Sequence, residues 1–244
     1  MSRIEHELKN RYTKPKYGEL KAIYELFNQN VLDAIKHELE KGLRHGNHFD
    51  QAVYVDFQYI DKIPLANFLG KQVDINGNPI NEKVEIGDIF IQFRRYQAYK
   101  GKEAIKCQNM EKRTAIIQAK ISESEKPCVP IGKIYPTKSN STSKELKLLQ
   151  DWPEFDLYET SRSKKSLLNN LKITNDNQKK AFFGGFCNQN KTWRFGEAKN
   201  KNECTLSYSD LLKGIQSNSY GKKVDNNESD WRDLDRKSTR LNSG

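Results

Sequence analysis

Residues 113–121 read Arg-Thr-Ala-Ile-Ile-Gln-Ala-Lys-Ile (RTAIIQAKI), an apolar run broken by two polar side chains, Gln118 and Lys120. Its β-branched and small residues predict a strand. On a strand, residues two apart leave the same face, so Gln118 and Lys120 point the same way. Setting an amide and an ammonium among Ala115, Ile116, Ile117, Ala119 and Ile121 costs free energy unless both find partners. The plain alternative is an edge strand whose polar face is wet.

Working outward, residues 87–94 (GDIFIQFR) predict a second strand, with Asp88 where it enters the apolar stretch. The polar segment 95–112 between the two reads as a loop or a long hairpin end. If the strands are antiparallel neighbours, that connection brings the Asp88 end beside the Lys120 end. A carboxylate, an amide and an ammonium then converge at one end of a sheet. The plain alternative for Asp88 is a turn acid after Gly87.

Farther out, residues 19–43 carry helical periodicity, with Val31, Ile35 and Leu39 spaced by four. Residues 51–60 (QAVYVDFQYI) predict a strand, and 61–83 a connector with a turn at Asn76-Gly77-Asn78-Pro79. Ser143 can cap a short helix at 144–151 that ends before Pro153, and 155–158 is a further strand. Residues 161–176 form a basic polar segment, expected to be part helical. Strands are expected at 181–187 and 192–197, and a helix from Ser207. This order predicts an α/β fold with a mixed central sheet flanked by helices.

With 244 residues, 35% apolar and 30% charged, the chain suits one soluble domain with a modest core. No run of about 18 apolar residues predicts a membrane span. The first eleven residues lack the apolar stretch of a secretory signal. Cys107, Cys128, Cys187 and Cys204 form no CxxC pair, so reduced thiols in a cytoplasmic protein are expected. No phosphate-cradling glycine loop supports a nucleotide cofactor. The net charge of +10 favours polyanionic partners, though a lysine-rich soluble protein would show it too. His45 and His48 form an i, i+3 pair that reads more simply as a polar loop. Lys164, Lys165, Lys179 and Lys180 offer a phosphate path or a solvated face. Trp152 and Trp193 read as packing residues.

A Gly-Asp strand followed by a strand ending in Gln-x-Lys resembles the PD-(D/E)xK nuclease superfamily, in its Gln-x-Lys variant. Gly87 stands where the literal motif has proline. The wider chain, roughly residues 30–231, resembles a group of uncharacterised bacterial proteins. The similarity lies at Glu85-Ile86-Gly87-Asp88, Ile117-Gln118-Ala119-Lys120, Gln150-Asp151-Trp152-Pro153, Gly184-Gly185-Phe186 and Asp210-Leu211-Leu212-Lys213-Gly214.

The resemblance implies a restriction-endonuclease-like core and Mg²⁺-dependent hydrolysis of nucleic acid, DNA more than RNA, with Mn²⁺ as a substitute. It implies that Asp88, the Gln118 amide oxygen and the Ala119 carbonyl hold the cation, while Lys120 positions or deprotonates the attacking water. Because Gln118 is neutral, it also implies a further acid from the first core helix. Glu38, three after Ile35 and seven after Val31 along the inward stripe of that helix, is the expected one; otherwise it is a solvated acid on a charged helix. The alternative function is a non-catalytic nucleic-acid-binding module on a degenerate nuclease fold. Residues 235–243 (DRKSTRLNS) resemble a translated sequencing adapter. The expected organisation is therefore a single domain at 1–234, with its core at about 28–160 and a C-terminal hairpin and helix at 180–234. Residues 235–244 are set aside as a foreign tail, whose removal leaves the basic excess in place.

Overall fold

Polar caps and apolar stripes organise the N-terminal third. Ser2 accepts from the Glu5 N–H and opens α1 (Arg3–Arg11), which buries Ile4 and Leu8. The periodic stretch 19–43 is two helices rather than one: α2 (Glu19–Leu26) and α3 (Gln29–Glu40). The break falls at Phe27-Asn28, where the Asn28 side chain accepts from the Asn30 N–H and caps a new helix. The computed structural model describes residues 1–43, 49–60, 62–100, 105–174, 179–200, 202–224 and 229–241; His45 and His48 lie outside these.

Next come β1 (Phe49–Tyr59), β2 (Leu65–Phe68), β3 (Gln72–Val73), β4 (Pro79–Ile80), β5 (Val84–Glu85), β6 (Ile89–Lys100) and β7 (Ile105–Ser122). The polar segment 95–112 is therefore mostly strand, and the 61–83 connector carries three short strands. A capping box between Asn140 and Ser143 starts α4 (Ser141–Asp151), and Trp152 ends it in the left-handed region at φ 48°. Then follow β8 (Phe155–Tyr158), β9 (Leu168–Leu171), β10 (Ala181–Cys187), β11 (Thr192–Glu197), α5 (Tyr208–Gln216), β12 (Lys222–Lys223) and α6 (Ser229–Leu241).

The fold is mixed α/β, with a mixed central sheet flanked by helices. Its main path runs β1-β6-β7-β10-β11, with β12 also on β7. Strand β6 runs antiparallel to both its neighbours, β1 and β7, and β10 runs parallel to β7. The parallel strand is buried on both faces, which is why 181–187 (AFFGGFC) reads as an unbroken apolar run. Helices α1, α2, α3 and α5 cover one face, packing on Ile89, Ile91, Ile117 and Ala119. Helices α4 and α6 and a second sheet, β5-β2-β8-β9, cover the other, against Phe90, Ile116 and Phe183.

Helix α6 runs on through the stretch read as a foreign tail. Asp235 in it is buried, accepting from Gln92 Nε2 (2.8 Å) and pairing with Lys112. Among the described residues, no helix is long and apolar enough to cross a membrane. All four cysteines are free thiols, and burial pushes that of Cys204 up to about 12.

Candidate active site

The register of β6 on β7 sets the site. Ile89 pairs with Ile117, so β6 begins opposite the middle of the 113–121 run and β7 overshoots it. Just outside the ladder, the Asp88 N–H donates to the Ile117 carbonyl (2.9 Å) and its own carbonyl accepts from the Ile60 N–H (2.8 Å). Backbone groups alternate in direction along a strand, so Ala119 presents its N–H and carbonyl toward the side where β6 has run out. The Asp88 carboxylate takes the vacated place. Its Oδ2 accepts from the Ala119 N–H (2.6 Å) and from Gln118 Nε2 (2.6 Å).

Gly87 makes this approach possible. A Cβ there would lie 2.5 Å from Ile116 Cγ2 and 3.1 Å from the Ile117 carbonyl oxygen, so the literal motif's proline would not fit.

Asp88, Gln118 and Lys120 face the α4 side of the sheet, and all three are brought together there. Asp88 is 2% exposed and Gln118 fully buried. Lys120 Nζ lies 3.4 Å from Glu145 Oε2 of α4 and 4.0 Å from Glu19 Oε1 of α2. Glu145 is itself 2% exposed. Burial pushes the Asp88 carboxyl well above the usual carboxylate range, opposed by the Lys120 charge and the Ala119 N–H. Burial likewise raises Glu145, with Lys120 again opposing. At Lys120 burial favours the neutral amine, but Glu145, Asp88, Glu19 and Glu85 outweigh it and hold the ammonium above its ordinary value.

Glu38 is not part of this cluster. Its Oε2 takes Lys213 Nζ of α5 (2.9 Å) and its Oε1 accepts the Arg3 N–H of α1 (3.1 Å). The Lys213 hydrogen bond, then that of Arg3, holds its carboxyl below the usual range. It ties three helices together on the opposite side of the sheet. The acids gathered at Lys120 are Glu145 and Glu19, with Glu85 within electrostatic reach. Glu145 carried a sequence signal: it stands three residues after Thr142 and four before Leu149, on the inward row of its helix.

The other candidates divide. Lys179 pairs with Glu197 (3.7 Å), and Lys180 is buried, donating to the Thr174 carbonyl. Lys164 and Lys165 are exposed. Trp152 and Trp193 are buried, and Trp193 Nε1 donates to the Tyr12 hydroxyl (2.7 Å).

Whether these residues suit a divalent cation turns on their oxygens. Gln118 Oε1 is buried without a hydrogen-bond partner, beside the Asp88 carboxylate and on the strand segment that carries the Ala119 carbonyl. An orphaned buried carbonyl next to a carboxylate suits a hard cation that takes oxygen ligands. Among the described residues, no three His, Cys, Asp or Glu side chains group as a ready cation site, so the donor set leans on the amide and the backbone. No protein-family model, curated protein or solved structure matches the chain.

Proposed function

We propose that this chain hydrolyses phosphodiester bonds in nucleic acid, DNA rather than RNA, with Mg²⁺ or Mn²⁺, on a restriction-endonuclease-like core. The observation that carries the reading is one buried cluster of polar groups. In it the Asp88 carboxylate, the orphaned Gln118 carbonyl and the Lys120 ammonium meet at the end of two adjacent strands. The topology supports it: three antiparallel strands, a helix, and a strand returning parallel to the third. The preference for DNA rests on the family resemblance alone.

Asp88, Gln118 Oε1 and the Ala119 carbonyl would hold the cation. When bound, it supplies positive charge to a phosphoryl oxygen and lowers the pKa of a coordinated water. The chain's own residues do the rest. Asp88 is fixed by two hydrogen bonds, so it needs little reorganisation to present its other oxygen. Lys120, kept charged by the surrounding carboxylates, donates hydrogen bonds: it orients a water or offsets charge on the phosphoryl group.

Mg²⁺- and Mn²⁺-dependent nicking of plasmid DNA tests the proposal. Cleavage by the unaltered chain, lost in Asp88→Ala and Lys120→Ala, is the expected result. The net charge of +10 favours a second reading, a nucleic-acid-binding module without hydrolysis. That module would bind DNA in a salt-sensitive way, indifferent to Lys120→Ala, and would not nick it with either metal.

A further inference from the structure

The second sheet carries a basic turn built in an unusual way. Lys83 is half-buried, just before β5, and its Nζ donates to three carbonyls of one turn: Thr160 (3.3 Å), Ser161 (3.1 Å) and Ser163 (2.7 Å). An ammonium has three donors, and all three are spent here. The same Nζ sits 3.9 Å from the centre of the Tyr158 ring, at the end of β8. Inside the turn, the Thr160 N–H donates to Ser163 Oγ (3.1 Å). Carbonyls hold the ammonium, and among the described residues no carboxylate pairs with it.

The pinned turn presents Arg162, Lys164 and Lys165, all exposed. None of the three forms an ion pair or side-chain hydrogen bond among the described residues. Glu159 is the only acid between Tyr158 and Leu171. Some lysines elsewhere are matched, as Lys144 is by Glu82 and Lys172 by Glu154. A tight turn carrying three like charges over a fourth, uncompensated one is self-repelling. An external polyanion would relieve that repulsion.

Lys83 is five residues before Asp88, a distance that even a fully extended chain limits to about 18 Å. At a rise of about 3.4 Å per nucleotide on one strand, that is roughly five nucleotides. A single DNA segment can therefore lie across the turn and the pocket together.

We infer that the Lys83-pinned turn, through Arg162, Lys164 and Lys165, is a phosphate-contacting surface. It grips the backbone of the DNA a few nucleotides from the bond in the pocket. The inference rests on the proposed hydrolysis for its substrate, but binding can be read apart from cleavage. Anisotropy of a labelled 20-base-pair duplex, titrated at several KCl concentrations, would use the full chain carrying Asp88→Asn. Adding Arg162→Gln, Lys164→Gln and Lys165→Gln is expected to make the log–log salt slope shallower by about 2–3, near 0.9 per lost phosphate contact. Lys83→Met keeps those charges but frees the turn. It should weaken binding about three- to tenfold, the cost of ordering one or two side chains, while changing the slope by less than about 1.

A control set, Lys9→Gln, Lys36→Gln and Lys41→Gln on α1 and α3 beyond the central sheet, should leave the slope alone. An unchanged slope in the turn variant, or an equal change in the control set, overturns the inference. Nicking by the chain without Asp88→Asn, with the turn variant binding normally, would leave hydrolysis standing and remove this surface. A turn effect without nicking would do the reverse.

Discussion

Burying Asp88 and Lys120 singly would cost several kcal/mol each, and the pocket offsets this by placing them in one field with Glu145. The Asp88 carboxyl is raised by burial, so the fold binds its proton more tightly than the unfolded chain does. Its contribution is favourable below the ordinary carboxylate pKa of about 3.9 and is lost as pH rises toward the folded value. Asp88→Asn keeps both hydrogen bonds and removes the ionisation. Its stability relative to the unaltered chain should therefore improve steadily as pH rises above 4, as urea melts at a series of pH values would show. A difference that stays flat with pH would mean the carboxyl is not perturbed. Lys120→Met asks the opposite question, since it leaves Glu145 buried without its cation. It should cost about 3–5 kcal/mol, the penalty for breaking a buried pair from one side. Adding Glu145→Leu should recover most of that stability and none of the nicking. Recovery of both would demote Lys120 to a structural lysine.

The helices divide the acids among different tasks, and this division is where reading the sequence fell short. Glu38→Gln should leave nicking unchanged and lower stability by under about 1 kcal/mol, because its partner Lys213 is half exposed. Loss of nicking would return Glu38 to the pocket. The strands at 87–94 and 113–121 were legible because segments buried on both faces read as short apolar, β-branched runs. The distal strands at 95–100 and 105–112 were not, because the described side chains at 95–99 and 107–112 are half-buried or exposed on both faces. Polar pairs there, such as Arg95–Glu111, write no apolar alternation into the chain. Asp88, Gln118 and Lys120 were legible as polar residues in apolar strands. Glu19 was not, since it opens a separate helix that only tertiary packing brings to Lys120. Glu38 misled because the inward row beside it, Val31, Ile35 and Leu39, is real but packs among α1 and α5 rather than at the strand end. Helix α6 makes its own case through Asp235, which joins Gln92 of β6 to Lys112 of β7. Asp235→Ala should cost about 1.5–3 kcal/mol, the range for a hydrogen bond to a charged group, as a lower urea midpoint with unchanged slope. No change would mean that α6 contributes packing alone.

At the scale of the molecule, a chain of net charge +10 carries an acid-rich pocket around one lysine. Under the proposed hydrolysis, such a surface would attract a polyanion while the acid-rich cluster would resist the phosphate brought to it. Burial reduces that resistance by favouring protonated carboxyls, but protonated carboxyls are poor metal ligands, so proton and cation compete for Asp88. Three consequences follow together. A divalent cation should stabilise the fold by mass action, about 2.7 kcal/mol at a hundred times its dissociation constant. For a chain of this size, that is roughly 5–11 °C in melting temperature. The shift should grow as pH rises and the proton leaves Asp88, and Asp88→Asn should abolish it at every pH. Differential scanning fluorimetry with Mg²⁺ or Mn²⁺, without nucleic acid, reads all three and does not depend on turnover. An equal shift in the unaltered and Asp88→Asn chains would place the cation elsewhere on the surface. No shift at millimolar metal and pH 8 would leave the pocket a buried ion-pair network, and the orphaned Gln118 carbonyl would need a different partner.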